Sequence, residues 1–453
     1  MYTLPKNTDI AELPVSEIEK IIAYGEQQQP RFKKLENYYL GVHDVLNRIK
    51  SSGLSNNKIV INHPKYIVDT NVGYLLGNPV EYQVTEGMDI EPIKDAYKKQ
   101  TINDLDVEIA RDCGIFGLQY EYIYANEKSE PRSTEIDNKQ IVLVRDETTE
   151  HNKLFAVMWR NVYKGDENRN EKLMYREVVL VDTFKKLTYK VENNQMELIE
   201  ESEHVFGDVP VIEYRNNPEY LGDFETVISL VDAYNLLQSD RINDKEQLVD
   251  AILVVQQMDF DEDDIESLLE HRVIAGVPEG ADVKYLIKNL NEADTDVLRQ
   301  TIENDIHKIS MVPNMSDENF IGNSSGVAIR YKLLAFEQNI KNKERYFEKG
   351  LMERFKMYNH YLMVKSNMPE VPIEEVDAIF KRNLPSNDFE ISQMINNLSG
   401  FVDKETLISQ LSFIKDAKEI VELTEKEDDI KEPQPQPEQT FEEIPDSNNG
   451  IVS

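Results

Sequence analysis

Cysteine and positive charge are what this sequence has least of. Cys113 is the only thiol among 453 residues, so one chain can build neither a disulfide framework nor a thiolate metal cluster. Fifty Lys and Arg stand against 85 Asp and Glu, a formal net charge of −35. Proteins that grip nucleic acid use clustered cations to displace counterions from phosphates, and the charge argues against that class. It leaves room for a protein that surrounds DNA without holding it, because an acidic wall repels a phosphate backbone. On charge alone the simpler reading is that the acid only keeps the chain soluble. No stretch approaches the eighteen or more consecutive apolar residues of a membrane span, and Met1–Lys6 lacks the basic and apolar regions of a secretory signal. A cytosolic origin is the default expectation.

Enzyme signatures are missing too. The phosphate-binding G-x-x-x-x-G-K-S/T loop, the dinucleotide G-x-G-x-x-G, the G-x-S-x-G elbow and the H-E-x-x-H zinc helix do not occur. The seven histidines are scattered without ligand spacing, which predicts no metal site and no cofactor. Asp259, Asp261, Asp263 and Glu270 occupy positions 1, 3, 5 and 12 of a calcium-loop template, but Asp264 stands where the turn needs Gly and Glu266 where an apolar residue belongs. The same acids fit the N-terminus of a short helix, Asp263–Arg272, where the helix dipole favours negative charge; calcium binding stays open.

What is present is length and periodicity. From Ala328 to Lys365 the residues Ile329, Leu333, Phe336, Ile340, Phe347, Leu351, Phe355, Tyr358 and Leu362 recur three, four or seven apart, broken only at Lys343. That is one face of a helix about 57 Å long, fed by the polar segment Asn314–Gly326. Gly350 weakens this helix by about 1 kcal/mol relative to Ala, and a bend is expected there. Ser16 and Glu19 have capping-box spacing for a helix to about Gln29; Arg31–Leu40 reads as a second helix. Ile59–Ile61 reads as extended. Asn62–Pro79 encloses a helix opened by Pro64 and closed by Gly77, and Glu91–Phe116 reads as helical. Leu118–Tyr124, Gln140–Val144, Leu154–Tyr163, Leu173–Val181, Lys186–Val191 and Val209–Tyr214 read as strands of an antiparallel sheet. Residues 1–222 therefore form one α+β domain.

Beyond it, Asp223–Ala251 is helical through Val227, Leu230, Val231, Tyr234, Leu237 and Ile242. An insert over 252–291 contains strand-like Leu253–Val255 and two β-like runs in Val273–Ile287. A helix, Glu292–Met311, carries Asp296, Gln300, Glu303 and His307 on one side and Leu298, Ile302, Ile306 and Ile309 on the other. The polar side is either a solvated face or the wall of a water-filled bore. A helix near Ile373–Phe380 and further helices between Asp388 and Glu425 follow, and the acidic, Pro- and Gln-rich segment Glu425–Ser453 cannot bury enough apolar surface to order itself.

Four stretches in order, Ile67–Pro79, Pro210–Asn217, Leu230–Asp240 and Pro313–Lys332, resemble signatures of the portal proteins of tailed bacteriophages, in the branch typical of long-tailed phages of Gram-positive hosts. The resemblance spans about residues 15–420. It implies an α+β portal fold and a ring of twelve subunits at one capsid vertex, made in the bacterial cytoplasm and carried in the virion. It further implies a wing (1–222, with the long helix and linker 328–384), stem helices (223–251 and 292–313), a clip (252–291), a tunnel loop (314–327) and a helical crown (385–424). Residues 425–453 match no family motif. Double-stranded DNA would pass the tunnel loop at Asn319, Phe320, Asn323, Ser324 and Ser325 and the stem face at Asp296, Gln300, Glu303 and His307. Asp261, Glu262, Asp263 and Asp264 would offer the clip docking surface. The implied partners are an ATP-hydrolysing terminase, a head–tail adaptor, and the major capsid and scaffolding proteins, with no membrane. The competing readings are another virion connector, such as a head–tail adaptor, or a packaging nuclease or ATPase.

Overall fold

The computed structural model describes residues 1–51, 55–85, 88–164, 172–192, 195–249, 252–256, 282–286, 292–315, 331–366, 368–382 and 388–409, with a few further positions up to residue 424. Two units are distinguished, Met1–Asn383 and Leu384–Ser453. In the first, the order is β1 (Tyr2–Leu4), α1 (Val15–Glu26), α2 (Gln29–Tyr39), α3 (His63–Leu76), β2 (Glu81–Val84), α4 (Glu91–Lys98), α5 (Ile102–Phe116), β3 (Leu118–Ala125), β4 (Pro131–Ile136), β5 (Ile141–Asp146), β6 (Lys153–Lys164), β7 (Lys172–Val181), β8 (Lys185–Glu192), β9 (Gln195–Glu203) and β10 (Val211–Arg215). Then come α6 (Ile228–Val249), β11 (Ile252–Gln256), β12 (Asp282–Leu286), α7 (Glu292–Ser310), α8 (Leu334–Ser366) and β13 (Val376–Ile379). The second unit contains α9 (Asp388–Leu398) and α10 (Lys404–Ile408), the latter capped by Asp403, whose carboxylate accepts the Thr406 amide.

The largest sheet has the order β1-β5-β6-β7-β8-β9 and is antiparallel except for the parallel β1–β5 pair. Strands β5, β6 and β7 are apolar on both sides because both sides are covered. Val142, Val144, Phe155, Val157, Trp159, Val178 and Leu180 pack with Ile18, Ile21 and Ile22 of α1. Their neighbours Ile141, Leu143, Ala156, Met158 and Val181 join the main core, as the two-residue side-chain period requires. A second sheet, β10-β3-β4, packs in that core with α5 and α8.

Several expectations are corrected. Ser16 does not cap α1: the Pro14 carbonyl accepts the amides of Glu17 and Ile18, and Ser16 lies inside the first turn. Glu91–Phe116 is two helices, divided at Thr101, whose φ of 51° is left-handed. The expected end of α3 at Gly77 holds, in a right-handed conformation, and Asn62 caps its start by accepting the Lys65 amide. Ile373–Phe380 is a single 3-10 turn followed by β13, which pairs antiparallel with β2. Strands β1, β2, β4 and β9 have no counterpart among the expected strands.

The long helix, α8, is 33 residues and roughly 50 Å. Phe336, Ile340, Phe347, Leu351, Phe355 and Tyr358 are buried as expected; Ile329 lies outside the described residues. Lys343 is no break in the stripe, for it is itself buried and pairs with Asp223. The helix runs without interruption through Gly350, and the glycine there answers to packing. A Cβ on it would sit 2.3 Å from Cε1 of Tyr214, whose ring is fully buried. Gly350→Ala is therefore expected to destabilise the chain by about 1–3 kcal/mol through overpacking, despite alanine's better helix propensity. Urea unfolding checks this, and a stabilised variant refutes the ring contact as the reason for glycine.

Candidate nucleic-acid interface and its mounting

The buried face of α6 turns from apolar to polar along its length. Val231 and Tyr234 are buried, but Leu236 is 42% and Ile242 39% exposed, while Asn235, Ser239 and Asn243 are 0–1% exposed. These three stand four residues apart, a rise of about 6 Å per step. Alternate residues of an extended chain advance about 6.6 Å, close enough to match. The amides of Ile61, Ile59 and Asn57 donate to Asn235 Oδ1, Ser239 Oγ and Asn243 Oδ1 at 2.8, 2.9 and 2.7 Å. The segment read as extended thus lies along a helix rather than in a sheet. Buried amides must find partners, and here three side chains of α6 supply them.

Neighbouring charges lock the same joint. Arg48 and Lys50 hold Asp240 at 2.7 and 3.1 Å, and these cations keep its carboxyl below the ordinary range against the opposing effect of burial. His43 receives the Asn235 amide at Nδ1 (2.8 Å) and faces the Tyr38 carbonyl through Nε2 (2.9 Å). Those partners require a neutral ring protonated at Nε2, and burial lowers its pKa.

Helix α7 pairs with α6, and its polar residues divide. Asp296 receives Arg299 at 2.9 Å and Gln300 at 3.1 Å, and Gln300 is exposed. Glu303 instead turns inward, accepting from Arg299 (2.7 Å), Tyr234 (3.4 Å) and Asn314 (3.2 Å). His307 donates from Nδ1 to the Val312 carbonyl at 2.9 Å and lies edge-on to His63 and Tyr66. The expected apolar side holds only for Ile306, which is buried, and Ile302, which packs against the core. Leu298 and Ile309 are each 50% exposed. The packed face is rotated toward Glu303, because Arg299 and Ser310 pack alongside Ile306 and bring the carboxylate with them.

Tyr66 of α3 fixes the chain beyond α7. Its hydroxyl donates to the Pro313 carbonyl at 2.9 Å and accepts the Met315 amide at 3.0 Å. Residues 312–315 are therefore tied to α3 and α7 up to the point where the 316–330 stretch begins. Asn319, Phe320, Asn323, Ser324 and Ser325 lie outside the described residues, as do Asp261, Glu262, Asp263, Asp264 and the rest of the Asp259–Glu270 pattern. Among the described residues no group of three His, Cys, Asp or Glu is placed to hold a metal, and no helix is long and apolar enough to cross a membrane. Sequence reasoning missed Tyr66, Asp223 and Arg354. The Asn235, Ser239, Asn243 spacing was a readable signal, since polar residues four apart share one helix face.

Two helices fastened to an α+β body by buried polar side chains define a mounting. The chain belongs to the family described as phage portal protein, SPP1 Gp6-like, whose model matches residues 18–433, and so is a ring-forming virion protein of the capsid vertex. It is 22% identical over 446 residues to the portal protein of Bacillus phage SPP1, covering 92% of this chain and 87% of that one. It is 20% identical over 447 residues to the portal protein of Clostridium phage phiCD119, covering 92% and 97%. A solved structure described as the neck of an empty GTA particle aligns over 80% of this chain and 88% of its own, with 12% identity and a TM-score of 0.41.

Proposed function

We propose that twelve copies form the ring through which double-stranded DNA enters the capsid during packaging and leaves during ejection, without sequence specificity and without catalysis by this chain. Residues 1–222 and 328–384 form the wing, 223–251 and 292–313 the stem, 252–291 the clip, 314–327 the tunnel loop and 385–424 the crown. A terminase and a head–tail adaptor dock at the clip, through Asp261, Glu262, Asp263 and Asp264. The capsid and scaffolding proteins meet the wing, and assembly starts in the host cytoplasm.

The observation that carries this reading is the mounting: the Asn235–Ser239–Asn243 ladder and the Tyr66 anchor hold α6, α7 and the root of the 316–330 stretch against the wing. A moving duplex pulls on whatever lines its path, and a lining tied to a large body by buried bonds resists that pull. Asn319, Phe320, Asn323, Ser324 and Ser325 offer neutral contacts that carry no sequence information and no long-range attraction, which suits sliding. Asp296 and Gln300, with Glu303 and His307 behind them, continue the wall as an acidic to neutral surface. Asn323→Lys is expected to slow or stall packaging in vitro while rings still form. Electron microscopy of the purified protein checks the ring, and an unchanged packaging rate removes the loop from the tunnel wall.

A further inference from the structure

Every exposed charged residue of α8 is basic: Lys341, Arg345, Lys349, Lys356 and Lys365. Its four acids, Glu337, Glu344, Glu348 and Glu353, are half-buried, three of them engaged by Arg382 or Lys153. In a chain of net charge −35, this separation is not a consequence of composition. Lys341, Arg345, Lys349 and Lys356 fall within about 80° of one another around the helix and span about 22 Å along it. Among the described residues Lys341, Arg345 and Lys356 have no ion-pair partner, and Lys349 meets only the ring of Tyr346. Tyr331 and Leu334, 75% and 53% exposed, lie at the N-terminal end of this face.

A second surface has the opposite imbalance. The cleft beside α5 is lined by Glu36, Asp112, Glu135 and Asp137 against Arg111 and Lys139, with Leu40, 66% exposed, on its wall. Glu135 Oε2 is buried without a hydrogen-bond partner. Burial and then neighbouring acids push the Glu135 carboxyl up, and burial raises Asp112 despite Arg111 beside it. Lys33 and Lys139 reach Glu36, Lys139 also reaches Asp137 and Arg111 reaches Asp112, but among the described residues Glu135 has no ion-pair partner, so acids outnumber cations here.

The two surfaces point away from each other. Arg354 of α8 reaches Asp106 of α5 through the core at 2.5 Å. The basic residues lie about 140–180° around α8 from Arg354, and Glu108, Arg111 and Asp112 about 120–160° around α5 from Asp106. One chain cannot bring them together, whereas a head-to-tail neighbour can. A contact between two different patches of identical chains is what closes a ring.

We infer that the Lys341–Lys356 face of α8 in one subunit docks against the acidic α5 cleft of the next. This rests on the portal reading and names the surfaces that close its ring. Charge across such an interface sets register and excludes wrong partners, while the exposed Tyr331, Leu334 and Leu40 supply apolar area beside it.

The test reverses charge on each surface of the full chain: Arg345→Glu with Lys349→Glu, and Glu108→Lys with Glu135→Lys. Sedimentation and mass photometry read assembly, and far-ultraviolet circular dichroism reads folding. Each pair alone is expected to raise the concentration for half-assembly by about tenfold or more, and all four together in one chain to restore rings, since each copy then offers both reversed surfaces. Rings unchanged in either pair overturn the inference and leave the portal reading standing. So does a folded four-fold variant that fails to recover. Normal rings with slowed packaging in the α8 pair place the basic face against DNA instead, and likewise overturn it. A wild-type chain that stays monomeric at high concentration overturns the ring reading and this inference with it.

Discussion

Arg354→Met is expected to cost the folded chain about 3–5 kcal/mol, the range found when one partner of a buried ion pair is removed. Arg354 is fully buried on α8; its Nε lies 2.7 Å from Glu121 and its Nη1 2.5 Å from Asp106, both carboxylates buried as well. Tyr214 donates to the other Glu121 oxygen at 2.7 Å. The guanidinium is the one cation between two acids, so its loss leaves like charges facing each other in a low dielectric. The variant has a pH signature. Burial already pushes the Asp106 carboxyl up, and without Arg354 that acid is neutral still more readily in the folded than in the unfolded chain. The folded variant then holds more protons, so its stability falls as pH rises above the ordinary carboxylate range. Arg354→Met is expected to be weaker at pH 8 than at pH 5, measured by urea unfolding. Adding Asp106→Asn and Glu121→Gln is expected to restore most of the loss, because replacing a whole buried ionic group costs far less than breaking it. A single variant as stable as wild type at pH 8 refutes the account.

The long helix illustrates what the sequence makes legible. Its apolar period was readable because burial imposes it directly on residue type. Lys343 and Arg354 were not, since a charged residue within an apolar stripe gives no sign whether it is a gap or a buried partner; Asp223, Asp106 and Glu121 lie between 120 and 248 residues away. At Gly350 the low helix propensity points to a bend, while the ring of Tyr214 that requires glycine comes from β10. Strands β5 to β7 are readable as apolar runs rather than as an alternation, because both their faces are covered. Strand β9 escaped because it is an edge, with Glu197, Glu200, Glu201 and Glu203 exposed, and acidic edges resist pairing with other chains. On α7, counting polar and apolar residues could not reveal that Arg299 brings Glu303 inward. Leu298 and Ile309, half-exposed in the subunit, show why a helix of an assembly misleads a reading that expects one face for water.

Lowering the pH from 7 to 5 is expected to remove about 2 kcal/mol through His63 alone, on the way to about 3 kcal/mol at lower pH. His63 is buried at the start of α3 with no partner at Nε2, edge-on to Tyr234 and His307. Burial, with His307 and His43 nearby and only partly offset by Glu303, lowers its pKa to about 4. The unfolded imidazole takes its proton near pH 6.5 and the folded one near 4. Between these values the unfolded chain holds more protons, so the contribution is whole above about 6.5 and is lost as pH falls toward 4. The position gives this loss a consequence for the chain that leaves α7. A charged His63 repels any charge on His307, which holds the Val312 carbonyl beside the Tyr66 anchor of Pro313 and Met315. Acid is thus expected to loosen residues 312–315 before the α+β body unfolds. His63→Phe keeps the ring contacts and removes the titration. Its stability difference between pH 7 and pH 5 is expected to be about 2 kcal/mol smaller than that of wild type, with carboxylates such as Asp240 cancelling between the two proteins. Hydrogen exchange at the Met315 amide is expected to accelerate at pH 5 in wild type more than in the variant, once intrinsic rates are corrected. Equal pH dependence in both proteins would show that His63 is not the group that senses acid at this joint.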